Sequence, residues 1–234
     1  MTRVAGVDGT PGGWAVVIVE ADRRRIRKVR ALSEIFDGTG RLDVVAVDVP
    51  IGLCDAYETG GRACDRKARK CLQKRASSVF AAPVRPVLEA SSWEVACARS
   101  RASAPGGKAI SKQTYFILPK IREVDNLLQA RPQLREVVRE VHPEVCFCEL
   151  AGRPMVYSKK KQTGRKERVQ VLSQPFPDLD AIVNHGRKEG LPIEDILDAT
   201  VACWSALRLA DGKGRSLVEP VPHDTTRLPM TIWV

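Results

Sequence analysis

Val44-Val45-Ala46-Val47 is the segment that most restricts what this chain can fold into. A strand with one wet face alternates apolar and polar residues. An unbroken apolar run closed by an acid, Asp48, implies cover on both faces, as in a parallel strand between helical layers. Pro50 and Gly52 then end it. The chain is therefore expected to be α/β, with this strand inside the sheet.

Val4-Ala5-Gly6-Val7 leads into Asp8-Gly9-Thr10-Pro11-Gly12-Gly13, and Trp14 begins a second apolar run to Val19. The Asp-Gly and Gly-Gly pairs predict a hairpin between strands at 3–8 and 14–20. A third strand is expected at 26–32 and a fifth at 137–142, stopped by Pro143. Residues 54–135 read as a helical and irregular insertion between strands four and five, lying over the edge of the sheet that bears the acids. Within it, 64–73 suits a basic helix and 111–130 an amphipathic one kinked or bounded at Pro119. Residues 151–168 read as a lysine-rich loop and 172–190 as holding a short helix. A last helix runs from Pro192 to Ala210, apolar so widely around its axis that it must lie buried against the sheet. At 234 residues the whole chain, 1–234, fits one domain.

No run of about 18 apolar residues exists, so no membrane span or membrane partner is expected. The N-terminus lacks a signal-peptide pattern, which points to the cytoplasm. Seven scattered cysteines fit no zinc spacing and read as reduced, buried residues. The net charge of +10 points to a polyanionic partner. Two clusters carry much of it: Arg62, Arg66, Lys67, Arg69, Lys70, Lys74 and Arg75, then Lys159, Lys160, Lys161, Arg165, Lys166 and Arg168. Such clusters fit nucleic-acid phosphates without specifying bases; a solvated surface is the competing reading.

The acids carry the chemistry. Asp195 and Asp198 share one face of the last helix. Asp198 falls where that helix turns wholly apolar, and a buried carboxylate there needs a cation or several donors. Asp195 alone would suit the helix dipole. Asp48 ends the buried strand, where it could equally cap the following turn. Asp8 could be an Asx-turn opening the hairpin. If strands one and four are parallel neighbours, Asp8 and Asp48 share the sheet's carboxyl edge, where ligands bind. Glu144, in His142-Pro143-Glu144, would reach that edge as a further ligand or general base. Converging carboxylates imply Mg²⁺ or Mn²⁺.

A strand-one Asp before a hairpin, an acid ending a buried fourth strand, and an Asp-x-x-Asp helix together resemble the ribonuclease H-like fold, most closely its Holliday-junction resolvase branch. That resemblance implies a mixed five-stranded sheet flanked by helices, with a metal held by Asp8, Asp48, Asp195 and Asp198. Asp48 stands where that branch usually carries Glu. A longer match runs through Gly6-Val7-Asp8-Gly9, Asp48-Val49-Pro50-Ile51-Gly52-Leu53, Arg62-Ala63-Cys64-Asp65, Ser77-Ser78-Val79-Phe80, His142-Pro143-Glu144 and Leu197-Asp198-Ala199. These motifs resemble the domain of unknown function 429 family, whose members are described as predicted nucleases of ribonuclease H fold. The resemblance places Arg62, Asp65, Arg69, Ser78 and Arg85 in the site, as phosphate contacts with Asp65 orienting an arginine.

The function so implied is metal-dependent cleavage of a nucleic-acid phosphodiester by two ions about 4 Å apart. A non-catalytic binding module on the same fold is the rival. Phosphoryl transfer is a third reading, since Asp8-Gly9-Thr10 resembles the phosphate loop of actin-like kinases, but those need two such domains. Resolvase-like enzymes often work as dimers, so a homodimer is a further expectation. The low aromatic content, 5%, disfavours a stacking groove for single strands and favours structured or branched duplexes.

Overall fold

The computed structural model describes residues 2–38 and 40–234, leaving Met1 and Thr39 outside the described residues. Five strands form one mixed sheet: β1 (Arg3–Thr10), β2 (Gly13–Glu20), β3 (Arg23–Val29), β4 (Val44–Val47) and β5 (Val138–Glu140), in the order β3-β2-β1-β4-β5. β2 is antiparallel to both β1 and β3, whereas β4 runs parallel to β1 and β5. The apolar run Val44–Val47 is the inner strand that its pattern implied, paired on both sides.

Several boundaries moved: β3 already ends at Val29, and β5 spans only Val138–Glu140. Asp8 lies within β1, opposite Ala15, and the chain turns at Pro11-Gly12 between the paired Thr10 and Gly13. Asp8 is thus a strand residue rather than an Asx-turn. β3 begins at Arg23, because β2 and β3 are joined through a tight corner after Glu20, which pairs with Arg23.

Seven helices flank the sheet among the described residues: α1 (Ala63–Leu72), α2 (Trp93–Ala102), α3 (Lys112–Ala130), α4 (Pro143–Ala151), α5 (Gln162–Leu172), α6 (Leu179–Lys188) and α7 (Ile193–Ala210). Strand alternation sorts the core. Ala5, Val7, Val16, Val45 and Val47 meet Leu118, Ile121, Val124 and Leu128 of α3 on one face. Val4, Val17, Val19 and Ala46 meet Phe147, Leu172, Ile182, Leu197 and Val201 of α4 to α7 on the other. The insertion therefore supplies a whole helical layer through α3, beyond a cover for one edge. Pro119 sits inside α3 without ending it. Pro143, read as a strand stop, opens helix α4, and residues 162–168 of the expected 151–168 loop belong to helix α5. Pro143 occupies a first helical position, where its missing N–H costs nothing.

The deepest contact is α7 lying across β1, and Gly6 permits it. A Cβ on Gly6 would stand 2.0 Å from the Cys203 nitrogen and 2.2 Å from the Ala199 carbonyl oxygen. No rotamer relieves an overlap with backbone, so Gly6→Ala should force α7 outward. We expect a loss of at least about 1–3 kcal/mol, the range for overpacking, read from the urea midpoint; an unchanged midpoint would show that α7 can shift freely.

The sheet borders differ. β3 presents Arg23, Arg25, Arg27 and Lys28 to solvent. On the far border, the backbone N–H of Trp233 donates to the Glu140 carbonyl at 2.8 Å.

Candidate metal and phosphate site

The carboxylates converge because of register. Val7 pairs with Val47, and the Asp48 N–H donates to the Val7 carbonyl at 3.0 Å, so Asp8 and Asp48 follow side by side on parallel strands. Asp8 is two residues beyond Gly6 and so shares its face. That face lies under α7, which delivers Asp198 at 1% exposure. Asp195, one turn earlier, is half-buried beside the Thr10 hydroxyl.

Burial and neighbouring charge act on each of these groups. Burial, then the charges of Asp48 and Asp198, hold the Asp8 carboxyl well above the ordinary carboxylate range. Burial raises Asp48 too, against the lowering pull of His142 and Lys159. Asp198 is raised by burial and opposed by Lys159, whose ammonium donates to its Oδ2. Its Oδ1 is buried without a hydrogen-bond partner. Burial alone would lower the Lys159 ammonium, but Asp198, Asp8 and Asp48 push it above its usual value. Among the described residues, no three Asp, Glu, His or Cys side chains form a ready-made metal cage; the acids gather about Lys159.

Glu144, in the first turn of α4, is 5% exposed and receives a hydrogen bond from Arg168, with Arg75 Nε at 3.7 Å. Its negative charge raises Asp198, and its two oxygens face Arg168 and Arg75. His142 Nε2 donates to the Ser78 carbonyl at 3.2 Å, leaving Nδ1 buried and unpartnered. Ser78 thus acts through its backbone, while its hydroxyl donates to the Arg75 carbonyl.

The family model described as "Protein of unknown function (DUF429)" matches residues 6–223. The chain belongs to this family. The match takes in every acid of the cluster and both basic segments of this DUF429 protein. No curated protein and no solved structure matches the chain.

The arginines expected on phosphate are placed otherwise. Arg62, 3% exposed, gives Nη1 to the carbonyls of Ile51 and Gly52 and to Glu140, and Nη2 to Asp65 and Glu140. Asp65 is buried in turn and accepts from the N–H groups of Arg62 and Ala82. Both are braces for the loop after β4, with no donor left for substrate. Arg85 gives Nη1 to Asp125 and Nη2 to Asp125, Asp224 and Thr226, pinning the C-terminal segment to α3 and leaving Nε without a partner. Arg69 holds the carbonyls of Val79 and Gly60. The exposed cations are instead Arg66, Lys67, Lys70 and Lys74 on one side and Lys160, Lys161 and Lys166 on the other.

Sequence reasoning gave Lys159 no role beyond its basic cluster and missed Lys120 of α3. Lys120 donates to the Gly13 carbonyl, stacks 4.1 Å over Trp14, and stands close enough to Asp8 to feel its charge. Nothing in either local sequence marks them, since both reach the site by tertiary packing.

Proposed function

We propose that this protein is a divalent-metal-dependent phosphodiesterase acting on nucleic acid, on a ribonuclease H-like sheet. The observation that carries the reading is the gathering of Asp8 and Asp48, side by side on parallel strands, with the buried Asp198 of α7, whose Oδ1 lacks a hydrogen-bond partner. Folding tolerates such a cluster most readily where a divalent cation is meant to relieve it. The donors are all hard oxygens, and the buried Asp198 Oδ1 lacks a partner, which suits Mg²⁺ or Mn²⁺. The sheet order and the acids on β1, after β4 and on α7 support the ribonuclease H-like part of the reading.

When bound, the ion would lower the pKa of a water and offset charge on the phosphate oxygens. Asp8, Asp48 and Asp198 would hold it, with Asp195 at the half-exposed side. The exposed lysines of both clusters would draw the phosphate backbone to the edge. Hydrolysis joins the water oxygen to phosphorus and breaks one ester P–O bond; the water loses one proton and the leaving oxygen gains one from solvent.

One observation favours a non-catalytic module instead: Lys159 already neutralises part of the cluster. A cleavage assay over branched, duplex and single-stranded DNA and RNA with Mn²⁺ separates the two. Wild type should cut, and Asp8→Asn and Asp198→Asn should lose more than the roughly 10–100-fold typical of second-layer residues around a metal. Three equally inert proteins that still bind DNA would establish the binding module.

A further inference from the structure

We infer that Lys159 takes the place of one of two cations, making this a one-metal site in which a fixed ammonium completes the charge balance. The inference rests on the metal reading above. It begins with how the lysine is held. Residues 152–161 link α4 to α5 and could have been a loose, polar loop. Instead, Glu167 accepts the backbone N–H groups of Val156 at 3.0 Å and Tyr157 at 3.0 Å. Arg168, fully buried, donates to the Tyr157 carbonyl at 3.1 Å and to the Gly164 carbonyl at 2.8 Å. Gly164 lets the loop close onto α5, because a Cβ there would lie 2.1 Å from the Ser158 carbonyl oxygen. The residues on either side of Lys159 are thus clamped by groups that themselves have partners.

A surface lysine paired with a surface acid by chance would show none of this construction. Here the backbone is fixed before the side chain is aimed, so the ammonium is delivered with little further loss of freedom. It meets Asp198 Oδ2 and leaves Oδ1 without a hydrogen-bond partner, with Asp8 and Asp48 near enough for their charges to act on the same ammonium. The side chain keeps 38% of its surface, so a phosphate oxygen arriving from solvent can reach the same ammonium.

Charge also argues for one ion. Asp8, Asp48, Asp195 and Asp198 supply four negative charges at most. Lys159, the nearby Lys120 and one divalent ion bring four positive charges, and a second ion would bring six. A lysine is a compact point charge that can bridge carboxylate and phosphate, although it cannot lower the pKa of a water as a metal does. It therefore fits the post beside the phosphate oxygens and leaves activation of water to the single ion.

The test counts Mn²⁺ ions by electron paramagnetic resonance of the full chain, taking Asp8→Asn as the background for stray binding. Wild type and Lys159→Arg should each hold one site-specific ion, and Lys159→Met and Lys159→Gln should hold two. Thermal melts confirm that each variant is folded. Two ions in wild type, or one in every variant, would overturn the inference while leaving the metal reading intact. No specific ion in wild type would remove the metal reading and this inference together.

Discussion

Asp8→Asn should make the metal-free protein more stable while abolishing its response to Mn²⁺. Burial and the neighbouring charges of Asp48 and Asp198 raise the Asp8 carboxyl above its ordinary range. For an acid raised by folding, the sign is the reverse of the usual ion pair: the native state binds the proton more tightly than the unfolded state. Stability is then fully present below the unfolded pKa and is lost as pH rises through the folded one. Asn keeps the shape without the charge, so its advantage should be absent near pH 4 and clear at pH 8. A gain of about 0.5–2 kcal/mol is the usual size of such a change. At roughly 2–4 °C per kcal/mol for a chain of this length, it shows directly in a melting curve. Mn²⁺ at a hundred times its Kd should stabilise wild type by about 2.7 kcal/mol and leave the variant unmoved. Asp198→Asn should gain less than Asp8→Asn, because it leaves the Lys159 ammonium without its partner. An Asp8→Asn protein less stable than wild type at pH 8 would show that the cluster is not under strain.

The second large effect concerns Arg62. Burial would lower its pKa, but Asp65 and Glu140 more than restore it, so the guanidinium stays charged. Removing one member of a buried pair leaves the others uncompensated, at about 3–5 kcal/mol. Arg62→Met should lose about that much in urea unfolding. Arg62→Lys should recover little, since three donors on one nitrogen cannot span two carboxylates and two carbonyls. Nucleic-acid affinity per folded molecule should not change. A variant that folds as wild type does but binds DNA weakly would return Arg62 to the phosphate-binding set.

The misreading of Arg62 shows where sequence stops being informative. Its neighbours Arg66, Lys67 and Lys70 lie on the exposed side of the same helix or its start, and composition cannot tell the buried cation from the exposed ones. The acids were legible because each broke an apolar context: Asp48 at the end of a buried run, Asp198 inside a buried helix. Helix α5 was not legible. Only Gly164, Arg168 and Leu172 are buried along it, and an arginine in the buried stripe defeats an apolar period. α4 was hidden for another reason, since Pro143 can end a strand and begin a helix with equal ease. The existence of the strands followed from patterning, whereas the cation that joins the acids comes from a loop dozens of residues away from each of them.

The borders of the sheet bear on how copies of this chain can meet. A second molecule laying its own β3 alongside would bring Arg23, Arg25, Arg27 and Lys28 against an identical row, and like charges facing across strands repel. The opposite border is already closed by the chain's own Trp233. Edge-to-edge strand addition is therefore opposed by charge at the β3 border, and at the β5 border it would have to displace the Trp233 hydrogen bond.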